Sequence, residues 1–113
     1  MIDQTIVKKI QEAVKKYEPA MIQFMKDICA IPSFESKIGG VVKRINDEMK
    51  KLGFDEVFVD KMGNSVGRVG NGPKKIVFDS HIDTVGIADP TQWKWDPFKG
   101  KVENGILCSG CLR

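Results

Sequence analysis

The sequence predicts an α/β protein, on three observations. The run Ile76-Val77-Phe78 leads through Asp79-Ser80 into His81-Ile82-Asp83, and a continuous apolar run suits a strand buried on both faces. Such strands are usual in parallel sheets, where ligand and catalytic groups collect just past the strand ends. Ahead of it, apolar residues recur at three- and four-residue steps over long stretches, the period of amphipathic helices. Between the two lie short β-rich segments punctuated by Gly and Asn turns.

The elements follow in order. From Ile2 to Tyr17 the stripe Ile6, Val7, Ile10, Val14 and Tyr17 predicts a first helix, with Lys8, Lys9, Glu12, Lys15 and Lys16 on its polar face. Glu18-Pro19 suits the first turn of a second helix, since proline lacks only an N–H that would be unpaired there. Its stripe is Met21, Phe24, Met25, Ile28 and Cys29, and Ile31-Pro32 stops it. The methionines read as packing groups. After the loop Ser33–Ser36, the residues Ile38, Val41, Val42, Ile45, Met49 and Leu52 mark a third helix, weakened at its start by Gly39-Gly40 and capped by Gly53. Two short strands are expected around Val57-Phe58-Val59 and over Ser65–Val69, joined by a Met62-Gly63-Asn64 turn. The central strand spans Lys75–Ser80. A loop over Ala88–Phe98 holds both tryptophans, and Asn104-Gly105 turns a hairpin between Lys101-Val102-Glu103 and Ile106-Leu107-Cys108.

Composition narrows the function classes. At 113 residues the chain is at most one domain, residues 1–113, with 42% hydrophobic and 29% charged residues as in ordinary globular chains. The net charge of +3 sits on lysines interleaved with acids and forms no basic stripe with aromatics, so no nucleic-acid partner is expected. No window reaches the roughly 18 consecutive apolar residues of a membrane span. Three cysteines without an export signal point to free thiols in a reducing cytoplasm.

Three groups could carry chemistry. His81 and Asp83 place an imidazole two residues from a carboxylate that can take its other ring proton, an arrangement that fixes the tautomer of a metal-ligating histidine. A lone histidine is also a common structural residue. Cys108-Ser109-Gly110-Cys111 could be half of a zinc site or a redox pair, but it has few partners and opens no helix, so an incidental thiol pair is favoured. Trp93-Lys94-Trp95-Asp96-Pro97-Phe98 reads as a loop anchored on the core rather than a substrate pocket. The Gly-rich turns at Gly63 and Gly70–Gly72 match no nucleotide fingerprint.

An ordered set of motifs goes further. Ile31-Pro32-Ser33, Leu52-Gly53-Phe54, Gly63-Asn64, Ser80-His81-Ile82-Asp83-Thr84-Val85, Trp95-Asp96-Pro97-Phe98 and Asn104-Gly105 together resemble the zinc-dependent metallopeptidase and deacylase family. That family comprises aminoacylase, acetylornithine deacetylase, succinyl-diaminopimelate desuccinylase and carboxypeptidase G. Within it, Asp60-Lys61-Met62-Gly63-Asn64 and His81-Ile82-Asp83-Thr84-Val85-Gly86 look most like hydrolases linked to selenium metabolism. The resemblance implies part of an α/β/α catalytic domain, amino-terminal helices followed by a mixed sheet, with a separate lid domain absent here. It implies two zinc ions that polarise a carbonyl and activate water beside a general-base glutamate, acting on amides of N-acylated amino acids or short peptides. By position, His81 matches a zinc ligand and Asp83 the catalytic carboxylate that orients it.

The chain departs from the family after Asn104-Gly105. A Gly-Arg-Gly segment and a metal-bridging Asp are expected there, whereas this sequence reads Leu107-Cys108-Ser109-Gly110-Cys111-Leu112-Arg113. The expectation is therefore an amino-terminal fragment of a zinc amidohydrolase, inactive alone, and prone to self-association through an exposed sheet edge. The alternative is a small thiol- or metal-binding or interaction protein. Substrate identity and oligomeric state are not legible.

Overall fold

The structure, a computed structural model, describes residues 3–110; Cys111, Leu112 and Arg113, with Met1 and Ile2, lie outside the described residues. Two helices, α1 (Gln4–Cys29) and α2 (Gly39–Lys51), precede β1 (Glu56–Val59) and β2 (Ser65–Arg68). A 3-10 turn (Pro90–Gln92) and the strands β3 (Lys101–Glu103) and β4 (Ile106–Cys108) follow. The class is mixed α and β.

The first correction concerns the helices. Where the sequence predicts two amino-terminal helices divided at Glu18-Pro19, the structure has one helix of 26 residues with Pro19 inside it. The proline removes one backbone bond, but the apolar spacing Val14, Tyr17, Met21, Phe24 runs through it without a phase change. Both halves therefore present one continuous face. Asp3 caps the start, its carboxylate accepting the Thr5 N–H at 2.8 Å. α2 starts one residue later than the stripe implies, with Ile38 as a cap that makes no side-chain bond. It ends as expected, at Gly53 in the left-handed region (φ 79°).

The second correction concerns the sheet. The expected mixed sheet around a central strand does not form. Instead, among the described residues, there are two separate two-stranded antiparallel sheets, β1 with β2 and β3 with β4. Residues 75–80 take no regular structure, and Ile76, Val77 and Phe78 are 82%, 84% and 93% exposed. A strand exists only through ladder bonds to a neighbour, and no described segment pairs with this run. Hydropathy identified a strand-forming sequence; it could not supply the neighbour.

Both hairpins match their turn chemistry. Asp60 closes the first turn, accepting the backbone N–H groups of Met62 and Asn64 and the Asn64 side-chain amide at 2.8–2.9 Å. These bonds, the Asn64 side chain first, hold the Asp60 carboxyl below its ordinary range. In the second, Asn104 and Gly105 both have positive φ (52° and 76°), as a two-residue primed turn requires.

The buried apolar residues are few. Cys29 at the end of α1 and Val41 and Val42 at the start of α2 form the centre of the core among the described residues. The β1–β2 hairpin packs on α2: the Ser65 hydroxyl donates to Asn46 Oδ1 at 2.6 Å, and Gly67 lies close against Met49 and Phe54. Arg44 joins the helices, pairing with Asp27 of α1 at 2.8 Å and with Glu48 of α2 at 2.7 Å, while its guanidinium lies 4.8 Å from the Phe24 ring centre. The hydrogen bond from Arg44 is the main reason that the Asp27 carboxyl is lowered, and the Asp27 bond in turn raises Arg44. The radius of gyration is 16.8 Å, against about 13 Å for a compact chain of this length. The excess is visible in α1, whose apolar residues from Ile6 to Ile22 remain substantially exposed.

Candidate functional site

The site is built where the end of α1 and the start of α2 face residues 80–84. Met25, Ile28, Cys29, Val41 and Ile45 form the helical side of a cleft of ≈ 190 Å³, and Ser80 to Thr84 form the other. The helical wall is apolar because it is the common stripe of both helices. The opposite wall carries the polar groups.

His81 and Asp83 are brought together there. His81 Nδ1 lies 3.1 Å from the Asp83 backbone oxygen and 3.3 Å from Asp83 Oδ1. Both neighbours can only accept when the carboxylate is ionised, so Nδ1 carries a proton, and in the neutral ring it is Nε2 that keeps the lone pair. That is the tautomer in which an imidazole ligates a metal through Nε2 while a carboxylate or carbonyl holds its other nitrogen. Both side chains are open to solvent, 84% and 72% exposed. The pair does not sit at the end of a strand, as the sequence predicts, but in an irregular segment.

What ties this segment to the helices is Ser33, a residue that the sequence reading placed in a loop without a role. Its side chain is fully buried. Ser33 Oγ lies 3.1 Å from the Ile82 carbonyl oxygen and 3.1 Å from Thr84 Oγ1, and the Thr84 N–H donates to the Ser33 carbonyl at 3.3 Å. The partners stand 49 and 51 residues away in sequence, so no local signal marks them.

The remaining candidates are placed elsewhere. Trp93 and Trp95 meet edge to face at 5.6 Å, and Trp93 Nε1 donates to the Ile87 carbonyl at 2.8 Å, contacts that lie within and beside the loop, while Trp95 stays exposed. Cys108 is half-buried at the end of β4, next to the buried Ser109 and Gly110, and its predicted partner Cys111 lies outside the described residues. Gly110 fits because its N–H donates to the Pro97 carbonyl at 2.9 Å and any Cβ would strike the Pro97 ring.

For a metal, the donor chemistry fits in part. A zinc centre takes about three protein ligands, and among the described residues no group of three or more His, Cys, Asp or Glu could hold an ion. His81 and Asp83 are the one histidine–carboxylate pair among them. Also among the described residues, no helix is long and apolar enough to cross a membrane.

Comparison with known proteins agrees with the motif pattern. Over 100 residues, 88% of this chain, the sequence is 46% identical to an uncharacterized Escherichia coli protein, YgeY. It is 28% identical over 95 residues to the succinyl-diaminopimelate desuccinylase of Ehrlichia canis, covering 76% of this chain. To the desuccinylase of Cereibacter sphaeroides it is 32% identical over 85 residues, 72% of this chain. The matched segments are 25%, 24% and 22% of those proteins, so the chain spans about a quarter of the length of the curated relatives it matches. No family model and no solved structure matches. The similarity to proteins named succinyl-diaminopimelate desuccinylase supports the peptidase and deacylase family that the motifs resemble.

Proposed function

We propose that this chain supplies the first part of the catalytic domain of a zinc-dependent amidohydrolase, with His81 as a ligand of one zinc and Asp83 as the carboxylate that orients it. The observation that carries the reading is the pairing of His81 Nδ1 with both acceptors of Asp83, which leaves Nε2 for a metal. The zinc ions of such an enzyme supply Lewis acidity and an activated water. The part contributed by these residues is to fix the tautomer and direction of one ligand. The substrates are amides of N-acylated amino acids or short peptides, in the cytoplasm. Among the described residues no group of three or more candidate ligands could hold the ion, so this chain by itself is expected not to hydrolyse them.

Two experiments test this. Incubated with zinc and N-acetyl or N-succinyl amino acids, the 113-residue chain is expected to show no hydrolysis above a zinc-only control; enzyme-like turnover would overturn the proposal. Sequencing of the coding DNA beyond the Arg113 codon is expected to reveal, in some frame, further carboxylate and histidine metal motifs. Their absence would favour the alternative of a small thiol-, metal-binding or interaction protein.

A further inference from the structure

We infer that Ser33 is a positioning residue for the His81–Asp83 pair. The function that this serves rests on the reading above, but the positioning itself can be measured without a metal. An exposed ion pair contributes only about 0–1 kcal/mol, too little to fix an irregular segment in one geometry. His81 and Asp83, a neutral imidazole beside a carboxylate at 84% and 72% exposure, hold each other no more strongly than that, so their orientation must come from what lies beneath them. Ser33 is fully buried there, on the connection between α1 and α2.

Its hydroxyl has one proton. The Ile82 carbonyl at 3.1 Å can only accept, so that proton goes to Ile82, and the Thr84 hydroxyl at 3.1 Å supplies the proton of the second bond. The third bond, from the Thr84 N–H to the Ser33 carbonyl, fixes the backbone just after Asp83. The three bonds therefore bracket Asp83 on both sides. They set the peptide so that its carbonyl and its carboxylate both face Nδ1. Removing the Ser33 hydroxyl leaves a carbonyl and a hydroxyl short of a partner at a site where water does not reach the serine.

The test uses the full chain with Ser33→Ala, Thr84→Val and Thr84→Ser. The first readout is metal-free: nitrogen NMR of the His81 ring at a pH where the imidazole is neutral. Wild type and Thr84→Ser are expected to show mainly the Nδ1–H tautomer, and Ser33→Ala and Thr84→Val the mixture of an unrestrained histidine. The second readout is zinc alone, whose affinity at His81 is expected to fall about tenfold in both disabling variants. Circular dichroism identifies a variant that fails to fold. Should Ser33→Ala do so, Thr84→Val, a change at a half-buried position, carries the test. An unrestrained mixture in wild type, or the wild-type tautomer kept in a folded Ser33→Ala or Thr84→Val, overturns the inference. A tautomer shift in a chain whose His81 takes no zinc upholds Ser33 and rejects the metal reading.

Discussion

Phe78→Ala separates the hydropathy of the sequence from the packing of the structure. In a buried central strand, deleting this ring would cost about 3–5 kcal/mol. In the structure Phe78 is 93% exposed, which leaves about 7% of its surface in contact. An aromatic side chain buries roughly 200 Å² when enclosed, so about 14 Å² is at stake. At about 25 cal/mol per Å² that is roughly 0.4 kcal/mol. Val41→Ala is the internal standard: Val41 is 2% exposed between the helices, and losing two carbons at about 0.8 kcal/mol each, plus the cavity left behind, gives about 2 kcal/mol. Thermal unfolding followed by far-ultraviolet circular dichroism, at low protein concentration, should show Val41→Ala melting roughly 8 °C lower and Phe78→Ala within about 2 °C of wild type. A loss for Phe78→Ala as large as that for Val41→Ala would refute the placement of residues 75–80 outside the core.

Three further outcomes are expected. Sedimentation velocity should show concentration-dependent association of the chain that Val77→Lys with Phe78→Lys abolishes, because the apolar run Ile76–Phe78 stands exposed outside either sheet; a monodisperse wild-type monomer would contradict this. Gly67→Ala should destabilise by about 1–3 kcal/mol in urea, since a Cβ there meets Met49 Sδ and comes to 2.7 Å from the Phe54 ring; unchanged stability would mean that the hairpin does not press on α2. The pairing of Asp27 with Arg44 gives stability that is full above the unfolded carboxylate value and is lost as pH falls below about 4, because the folded group is lowered. Both partners are partly exposed, so the loss is at most about 1 kcal/mol. Asp27→Asn should flatten that part of the stability–pH curve, and an equally steep curve would assign it to other acids.

Local physics was the legible part of this fold. The stripe of α2, the Gly53 stop, the Met62-Gly63-Asn64 turn and the Asn104-Gly105 hairpin each depend on residues within a few positions of one another and are legible in the sequence, whereas the part of Asp60 in closing the first turn is not. Pro19 misled because a proline that starts a helix and one tolerated inside it look alike; the unbroken spacing from Val14 to Phe24 was the better guide. The run Ile76–Phe78 misled because a strand is a relation between segments. The candidate site divides in the same way. His81 and Asp83, two residues apart, could be paired on paper, whereas Ser33 acts across half the chain and needed coordinates to be seen.

Whether Asp83 presents His81 as a metal ligand decides the function proposed for this chain. The most direct measurement is a zinc titration of the full chain followed by NMR of the His81 ring, with His81→Ala, Asp83→Ala and Cys108→Ser alongside. Zinc is expected to shift the His81 signals, Asp83→Ala to weaken binding about tenfold, His81→Ala to remove it and Cys108→Ser to leave it unchanged. Zinc binding that survives His81→Ala and disappears in Cys108→Ser would contradict this and put the metal on the thiols.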